Sequence, residues 1–284
     1  MLLKNIKKYL IWLIPNKIFI KIQYFQKFWK YLDFKYPQTF NEKIQYFKLY
    51  QTASIYSDLA DKYKVRDYVK NKIWDIILPR LYWYWESSES IPYDKLPESF
   101  VIKCNHGCWY NILVKNKNYI DIEKINNQLD MRMKDDFWKF GRELQYKNIS
   151  KKIIIEEMLN DKKFTTPVDY KFFCFNWIPK FIQVDLGRYE EHRRFIYDMN
   201  WKFLHIWMKL PIDRWGIEKP KRLRSMTLYA KELSKSFRFV RVDLYCVNNK
   251  VFFGEMSFTP ANWFTVFLPN HEKLDKELGK LIVL

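Results

Sequence analysis

Glycine is scarce in this chain: 6 residues among 284, so turns must be made largely by Asn, Asp, Lys and Pro. Cysteine offers no framework either. The four, at 104, 108, 174 and 246, show no paired spacing. A chain this long builds a core without disulfides, so a reducing compartment is expected. Cys104, His106 and Cys108 alternate along one predicted strand, a spacing that does not match structural zinc sites and lacks a fourth ligand. Long apolar runs are missing as well. The longest uncharged stretch near the N-terminus, residues 9–15, is far below the ~20 residues of a spanning helix. No small-residue cleavage site follows it, which argues against a secretory signal and for a cytoplasmic protein. Of the histidines, His106 reads as a turn brace, while His192, His205 and His271 read as surface or helix positions; no Ser-His-Asp arrangement follows from their spacing.

Acidic charge is outnumbered, 32 carboxylates against 50 Lys and Arg, for a formal net charge of +18. Such a field attracts anions: nucleotides, acidic glycans and phospholipid headgroups, although a merely solvated basic face would have the same composition. Within residues 1–30, Lys7, Lys8, Lys17, Lys21, Lys27 and Lys30 interleave with Trp12, Phe19, Phe25 and Trp29. That mixture suits a helix lying on an anionic membrane and equally an amphipathic helix packed on the protein body.

Hydrophobic periodicity predicts helices over the first 75 residues or so, including 40–50 after a Thr39 N-cap, and 58–72. Beyond residue 91, short β-rich runs recur at 100–103, 112–115, 153–156, 170–175, 181–185, 239–245 and 251–255. Asn248-Asn249 favours a tight hairpin between the last two, and helical stretches at 120–133 and 223–236 intervene. The fold class expected is α+β.

Three stretches carry chemistry. In residues 239–260, strand alternation puts Arg241, Asp243 and Tyr245 on one face, and the hairpin brings Phe253, Glu255 and Ser257 beside them. Two carboxylates so juxtaposed repel unless a divalent cation or an arginine compensates, and magnesium held by carboxylates and substrate phosphates is a common solution. In residues 99–115, Lys103 ends a strand, Asn105, His106 and Gly107 make a loop, and a second strand ends in Lys115. A lysine beside such a turn can reach phosphate oxygens while loop amides cradle them. In residues 152–173, an apolar strand runs into Glu156, Glu157, Met158 and Leu159, whose backbone can meet an adenine edge.

In this order the elements resemble the ATP-grasp enzymes. The phrases TFNEKIQYFKLY, DKYKVRDYVK, LPESFVIKCNHG, DYKFFCFNWIPKFIQVD and FVRVDLYCVNNKVFFGEMSFTP are similar to those of the TupA-like ATP-grasp family of bacterial surface-polysaccharide gene clusters, over residues 35–265. The resemblance implies two α+β lobes clamping ATP: a helical N-terminal region at 1–90, a small lobe at 91–165 and a large lobe at 166–284. It implies Mg2+-dependent ligation of a carboxylate to an amine through an acyl-phosphate. Lys103 and Lys115 would hold ATP phosphates, with Asn105, His106 and Gly107 between them, and Glu156 to Leu159 would form the adenine hinge. Asp169 would meet the ribose and Lys171 a further phosphate. Asp243, Glu255 and Ser257, the last in a place usually held by asparagine, would bind magnesium. Arg241 would stabilise the transferring phosphoryl group.

The carboxylate would come from a glycan or small acid, with a separate amine acceptor; no nucleic acid partner is implied. A peripheral contact of residues 1–30 with the inner face of the cytoplasmic membrane stays open. Two departures from the family pattern stand out. Cys108, Trp109 and Tyr110 replace a small, glycine-rich turn, crowding a backbone that glycine would let approach phosphate. Residues 259–263 likewise replace a glycine-containing turn near the acceptor site. Two other readings remain beside the ligase. One is a glycosyltransferase of polysaccharide assembly, unsupported by any Asp-x-Asp motif at a strand end. The other is a non-catalytic, polyanion- or membrane-binding protein on the same fold.

Overall fold

The computed structural model describes residues 12–108, 110–187, 191–208, 216–260 and 264–284. Helices come first: α1 (Asn16–Phe28), α2 (Phe40–Tyr50), α3 (Ser54–Ala60) and α4 (Val65–Ile73). Thr39 caps α2 as expected, its hydroxyl accepting from the Glu42 amide at 3.2 Å while the Glu42 carboxylate accepts from the Thr39 amide at 2.9 Å. The single helix expected over 58–72 is instead two, α3 and α4. Asp61 adopts an extended backbone, and its carboxylate accepts from the Tyr63 amide at 2.8 Å and from the Asn105 side chain at 2.8 Å. A short acid that bonds its own downstream backbone in this way competes with the helix ladder.

Strand β1 (Leu81–Trp85) follows, inside the stretch expected to be helical, and pairs with β4 (Ile153–Glu157). With β2 (Phe100–Cys104) and β3 (Asn111–Val114) these form an antiparallel sheet in the order β1-β4-β2-β3. The β1 run LYWYW is aromatic after its leading leucine and lacks the clean alternation that marks a strand in sequence. Helices α5 (Ile122–Lys134), capped by Asp121, and α6 (Trp138–Gly141) lie between β3 and β4.

The second sheet has the order β10-β9-β5-β6-β7, all antiparallel. Its strands are β5 (Asp169–Phe175), β6 (Ile178–Leu186), β7 (Arg193–Asp198), β9 (Phe239–Val247) and β10 (Lys250–Ser257); β8 (Trp207–Met208) pairs separately with β11 (Phe267–Leu268). Asn248 and Asn249 make the β9–β10 turn at φ of 49° and 62°, the left-handed conformation that asparagine tolerates. Helix α7 (Leu223–Ser234) joins α4 against one face of the sheet, burying Phe172, Val184, Met226 and Val242.

The opposite face is divided. At one end Phe173, Phe175, Phe181 and Phe239 pack under α2 and α8 (His271–Lys280). At the other, the same alternating rows continue as Lys171 and Asp169, Gln183 and Asp185, and Arg241 and Asp243. Each strand thus runs from an aromatic half into a charged half on one side.

Helices α2 and α8 seal the aromatic half through backbone contact. Buried Asn41 accepts from the Thr265 amide at 3.1 Å and donates through its backbone and side-chain amides to the Asp275 carboxylate at 2.9 and 2.8 Å. A Cβ at Gly279 would collide with the Gln38 carbonyl and lie 2.8 Å from the Phe40 amide nitrogen. Neither obstacle is a flexible side chain. Gly279→Ala should therefore lower unfolding stability by about 2 kcal/mol, measurable by urea denaturation, whereas alanine at an exposed α8 position should change it by less than about 0.5 kcal/mol.

Candidate active site

The charged half of the large sheet is a buried ion network. Direct pairing of β9 with β10 sets Asp243 opposite Glu255 and Arg241 opposite Ser257, and pairing of β9 with β5 sets Asp243 opposite Lys171. Arg241 donates through Nε to Asp243 Oδ1 at 2.6 Å, and through Nη2 to Asp243 Oδ2 at 2.6 Å and Glu255 Oε1 at 2.8 Å. Lys171 donates to Asp243 Oδ2 at 2.7 Å and, in a very short contact, to Asp169. Both carboxylates therefore face the same guanidinium. A bulge at Gly254 modifies the expected alternation: Phe253 pairs with Leu244 and joins the core, while Glu255 pairs with Asp243.

Burial pushes the Asp243 carboxyl up to about 6 against the pull of Arg241 and Lys171. For Lys171, burial acts downward, but the Asp169 and Asp243 carboxylates outweigh it and hold the ammonium above its usual range. Three carboxylates share two cations here, with Glu255 the most open of the three at 31% side-chain exposure. Among the described residues no group of three His, Cys, Asp or Glu side chains is arranged to hold a metal ion alone. The donor set still fits magnesium chemically, since two carboxylates and a hydroxyl are hard oxygen ligands and phosphates ordinarily complete its shell.

Between the two sheets lies a cavity of about 540 Å³. Val101 and Lys103 of β2 and Asn111, Leu113 and Lys115 on and just after β3 line its small-sheet wall. Glu157, Met158, Leu159 and Asn160 form its back, Thr165, Thr166 and Pro167 one side, and Asp169, Tyr245 and Phe253 the large-sheet wall. Asp169 belongs to both the cavity and the ion network, so the two are continuous through Asp169, Lys171 and Asp243. Lys103, Lys115, Asp169 and three of the four hinge residues named from sequence thus meet around one space.

Glu156 does not join them. Its side chain accepts from Lys103 Nζ at 2.6 Å and from Arg66 Nη1 at 2.6 Å, so it braces the lysine instead of lining the cavity. Arg66, on α4, was not legible as a site residue because its partner lies 90 residues away.

The loop after Lys103 departs from its expected phosphate-binding role: Asn105, His106 and Gly107 are absent from the cavity wall and turned inward. Asn105 donates to Asp61 at 2.8 Å and to the Ser150 carbonyl at 2.9 Å, and accepts from the Lys152 amide at 2.6 Å. His106 lies beside the Arg132 carbonyl at 3.2 Å. Burial first, then Lys151, pushes its imidazole down to about 4. Gly107 is required by packing, since a Cβ there would stand 2.8 Å from the Phe137 ring. Burial pushes the Cys104 thiol up to about 12 and the Cys108 thiol up to about 11, so both are thiols in this structure. Of the altered turns, Trp109 and residues 261–263 lie outside the described residues.

Thr259 is described, and it ties the end of β10 to the small-lobe segment. Its hydroxyl donates to Glu143 in a very short contact and accepts from Gln145 at 2.6 Å. Lys48 of α2 is fully buried nearby, and burial pushes it down to about 7 although Glu143 opposes this. Sequence reading missed Lys48 and Glu143, which look like ordinary charged residues of surface segments.

Two antiparallel sheets with a cavity between them, preceded by helices, make up an ATP-grasp fold. The TupA-like ATPgrasp family model matches residues 42–283, and the chain belongs to that family. No curated protein matches it in sequence. Solved structures are similar at a distance. The D-alanine–D-alanine ligase from Bacillus anthracis complexed with ATP is 14% identical at a TM-score of 0.43, aligning 71% of this chain with 54% of that one. The D-alanine–D-alanine ligase from Helicobacter pylori is 16% identical at 0.44, covering 86% and 69%. N5-carboxyaminoimidazole synthase from Aspergillus clavatus is 8% identical at 0.44, covering 71% and 44%. This chain thus spans little more than half the length of the first of these and less than half of the last.

Two outcomes follow from the site's electrostatics. Lys171→Met should destabilise the fold by about 3 kcal/mol or more, because Asp169 and Asp243 lose a buried counter-ion. Denaturation should show a smaller loss at pH 5 than at pH 8, where protonation no longer relieves Asp243. His106, with a folded value below its unfolded ~6.5, should cost stability as pH falls from about 6.5 to about 4. Thermal melts of His106→Gln should be flatter across that window than those of the unaltered protein.

Proposed function

We propose that the chain is an ATP-dependent carboxylate–amine ligase acting through an acyl-phosphate. The observation that carries this reading is the continuity of the 540 Å³ cavity with the Arg241–Asp243–Glu255–Lys171 network by way of Asp169. The backbone of Glu157, Met158 and Leu159 would take the adenine edge, and Asp169 a ribose hydroxyl. Lys103, steadied by Glu156 and Arg66, and Lys115 would hold phosphate oxygens from the small-lobe side. Residues 91–165 and 166–284 serve as the two lobes in this reading, with the small lobe extended by β1 and the helices of 1–90 behind them.

Asp243 and Glu255, with Ser257 beside them, would hold Mg2+, which supplies charge neutralisation for phosphates when bound. In the first step a substrate carboxylate oxygen attacks the γ-phosphorus and ADP leaves. Arg241 donates to the equatorial oxygens of the transferring phosphoryl group. In the second, an amine nitrogen attacks the acyl carbon, phosphate departs and the amine proton passes to solvent. The acid is proposed to belong to a capsule or other bacterial surface polysaccharide, or to a small precursor acid. The protein would act in the cytoplasm, at the inner face of the membrane.

Thermal unfolding tests the reading. ATP with Mg2+ at a hundred times its dissociation constant should stabilise the protein by about 2.7 kcal/mol. Glu255→Gln should lose the Mg2+-dependent part of that gain. Stabilisation by a nucleotide sugar and none by ATP would overturn the ligase assignment in favour of glycosyl transfer.

A further inference from the structure

Helix α1 has two apolar faces, and the described residues cover only one. Ile20 and Tyr24 are buried, packing with Leu32, Phe34, Leu49 and Phe264. A second stripe runs Ile18, Ile22, Phe25 and Trp29, the i, i+4, i+7, i+11 spacing of one side of a helix. That side faces outward: Ile18 is 51%, Ile22 44% and Trp29 79% exposed. Just past the helix Tyr31, 88% exposed, extends the stripe. The Phe25 ring links the two aromatics, 5.6 Å from Trp29 and 5.2 Å from Tyr31.

The segment that carries this stripe has charge of one sign. Residues 1–32 contain seven lysines and no Asp or Glu. Lys17, Lys21, Lys27 and Lys30 lie on or beside α1; Lys30 reaches Glu272 at 2.5 Å, and Lys17 sits over the Phe34 ring at 5.9 Å. Lys21 and Lys27 are exposed.

We propose that the outward stripe of α1 is the docking surface for an anionic lipid bilayer. The helix lies in the interface plane with Ile18, Ile22, Trp29 and Tyr31 among the acyl boundary and Lys21 and Lys27 at the headgroups. Three observations select this occupant. Tryptophan and tyrosine at the edge of an aliphatic stripe match the amphipathic depth profile of a membrane interface. The basic charge of residues 1–32, with Lys21 and Lys27 exposed, complements anionic headgroups and opposes a second copy of a chain carrying +18. No helix among the described residues is long and apolar enough to span, so attachment would be in-plane. None of the stripe residues lines the cavity, so this surface is independent of the ligase reading.

Co-sedimentation of the full chain with phosphatidylglycerol and phosphatidylcholine vesicles is the test. The unaltered protein should bind phosphatidylglycerol vesicles, and high salt or K21E/K27E should weaken that binding about tenfold or more. Ile18→Ser/Ile22→Ser/Trp29→Ser should lose binding to a similar extent while keeping its unfolding temperature and any response to ATP with Mg2+. Absence of vesicle binding by the unaltered protein, equal binding by the triple variant, or concentration-dependent dimers abolished by that variant would overturn the proposal. Loss of nucleotide response with vesicle binding intact would bear on the ligase reading alone.

Discussion

Three carboxylates and two cations, drawn from three adjacent strands, meet on one face of a β-sheet with all but Glu255 held out of water, and the placement of the remaining elements follows from keeping them there. Asp243 sits at the centre, bonded by Arg241 from its own strand and by Lys171 from the next. Burying such charges is costly unless each has a partner in good geometry, and removal of either cation leaves carboxylates uncompensated in the interior. The register of β10, β9 and β5 is thereby pinned twice, by the hairpin asparagines and by the ion network.

The division of that face into an aromatic and a charged half explains the rest of the architecture. Phe173, Phe175 and Phe239 need a hydrophobic cover, and α2 and α8 supply it, locked by Asn41, Asp275 and the close approach at Gly279. The charged half needs access to a polar ligand, and there the large sheet faces the small sheet across the cavity. One strand direction thus separates a structural region from a chemical one within about four residues.

On the small sheet the same economy of charge recurs. Lys103 and Arg66 share Glu156, which fixes the lysine against the cavity wall, while the following turn is consumed by internal bonds of Asn105 and packing at Gly107. Thr259, Glu143 and Gln145 then join the end of β10 to the small-lobe segment beside a desolvated lysine at position 48. The site is therefore assembled from residues far apart in sequence, and the groups that orient it are not those nearest the ligand-lining ones.

Alternation in residues 239–257 and the positive-φ tolerance of Asn248-Asn249 are local properties, so the hairpin and the meeting of Asp243 with Glu255 were legible in the sequence. So were the strand-end positions of Lys103 and Lys115 beside a turn, whereas Asp169 was named only through the resemblance to the ATP-grasp enzymes. The tertiary structure alone decided that Glu156 points to Arg66 and Lys103, that Asn105 and His106 turn inward, that Gly254 bulges, and that no described residue covers the outward apolar stripe of α1. Each depends on what lies across space: a counter-ion 90 residues away, a neighbouring ring, or the absence, among the described residues, of a packing partner on one side of a helix. Periodicity reports which residues share a face, but only packing determines what that face meets.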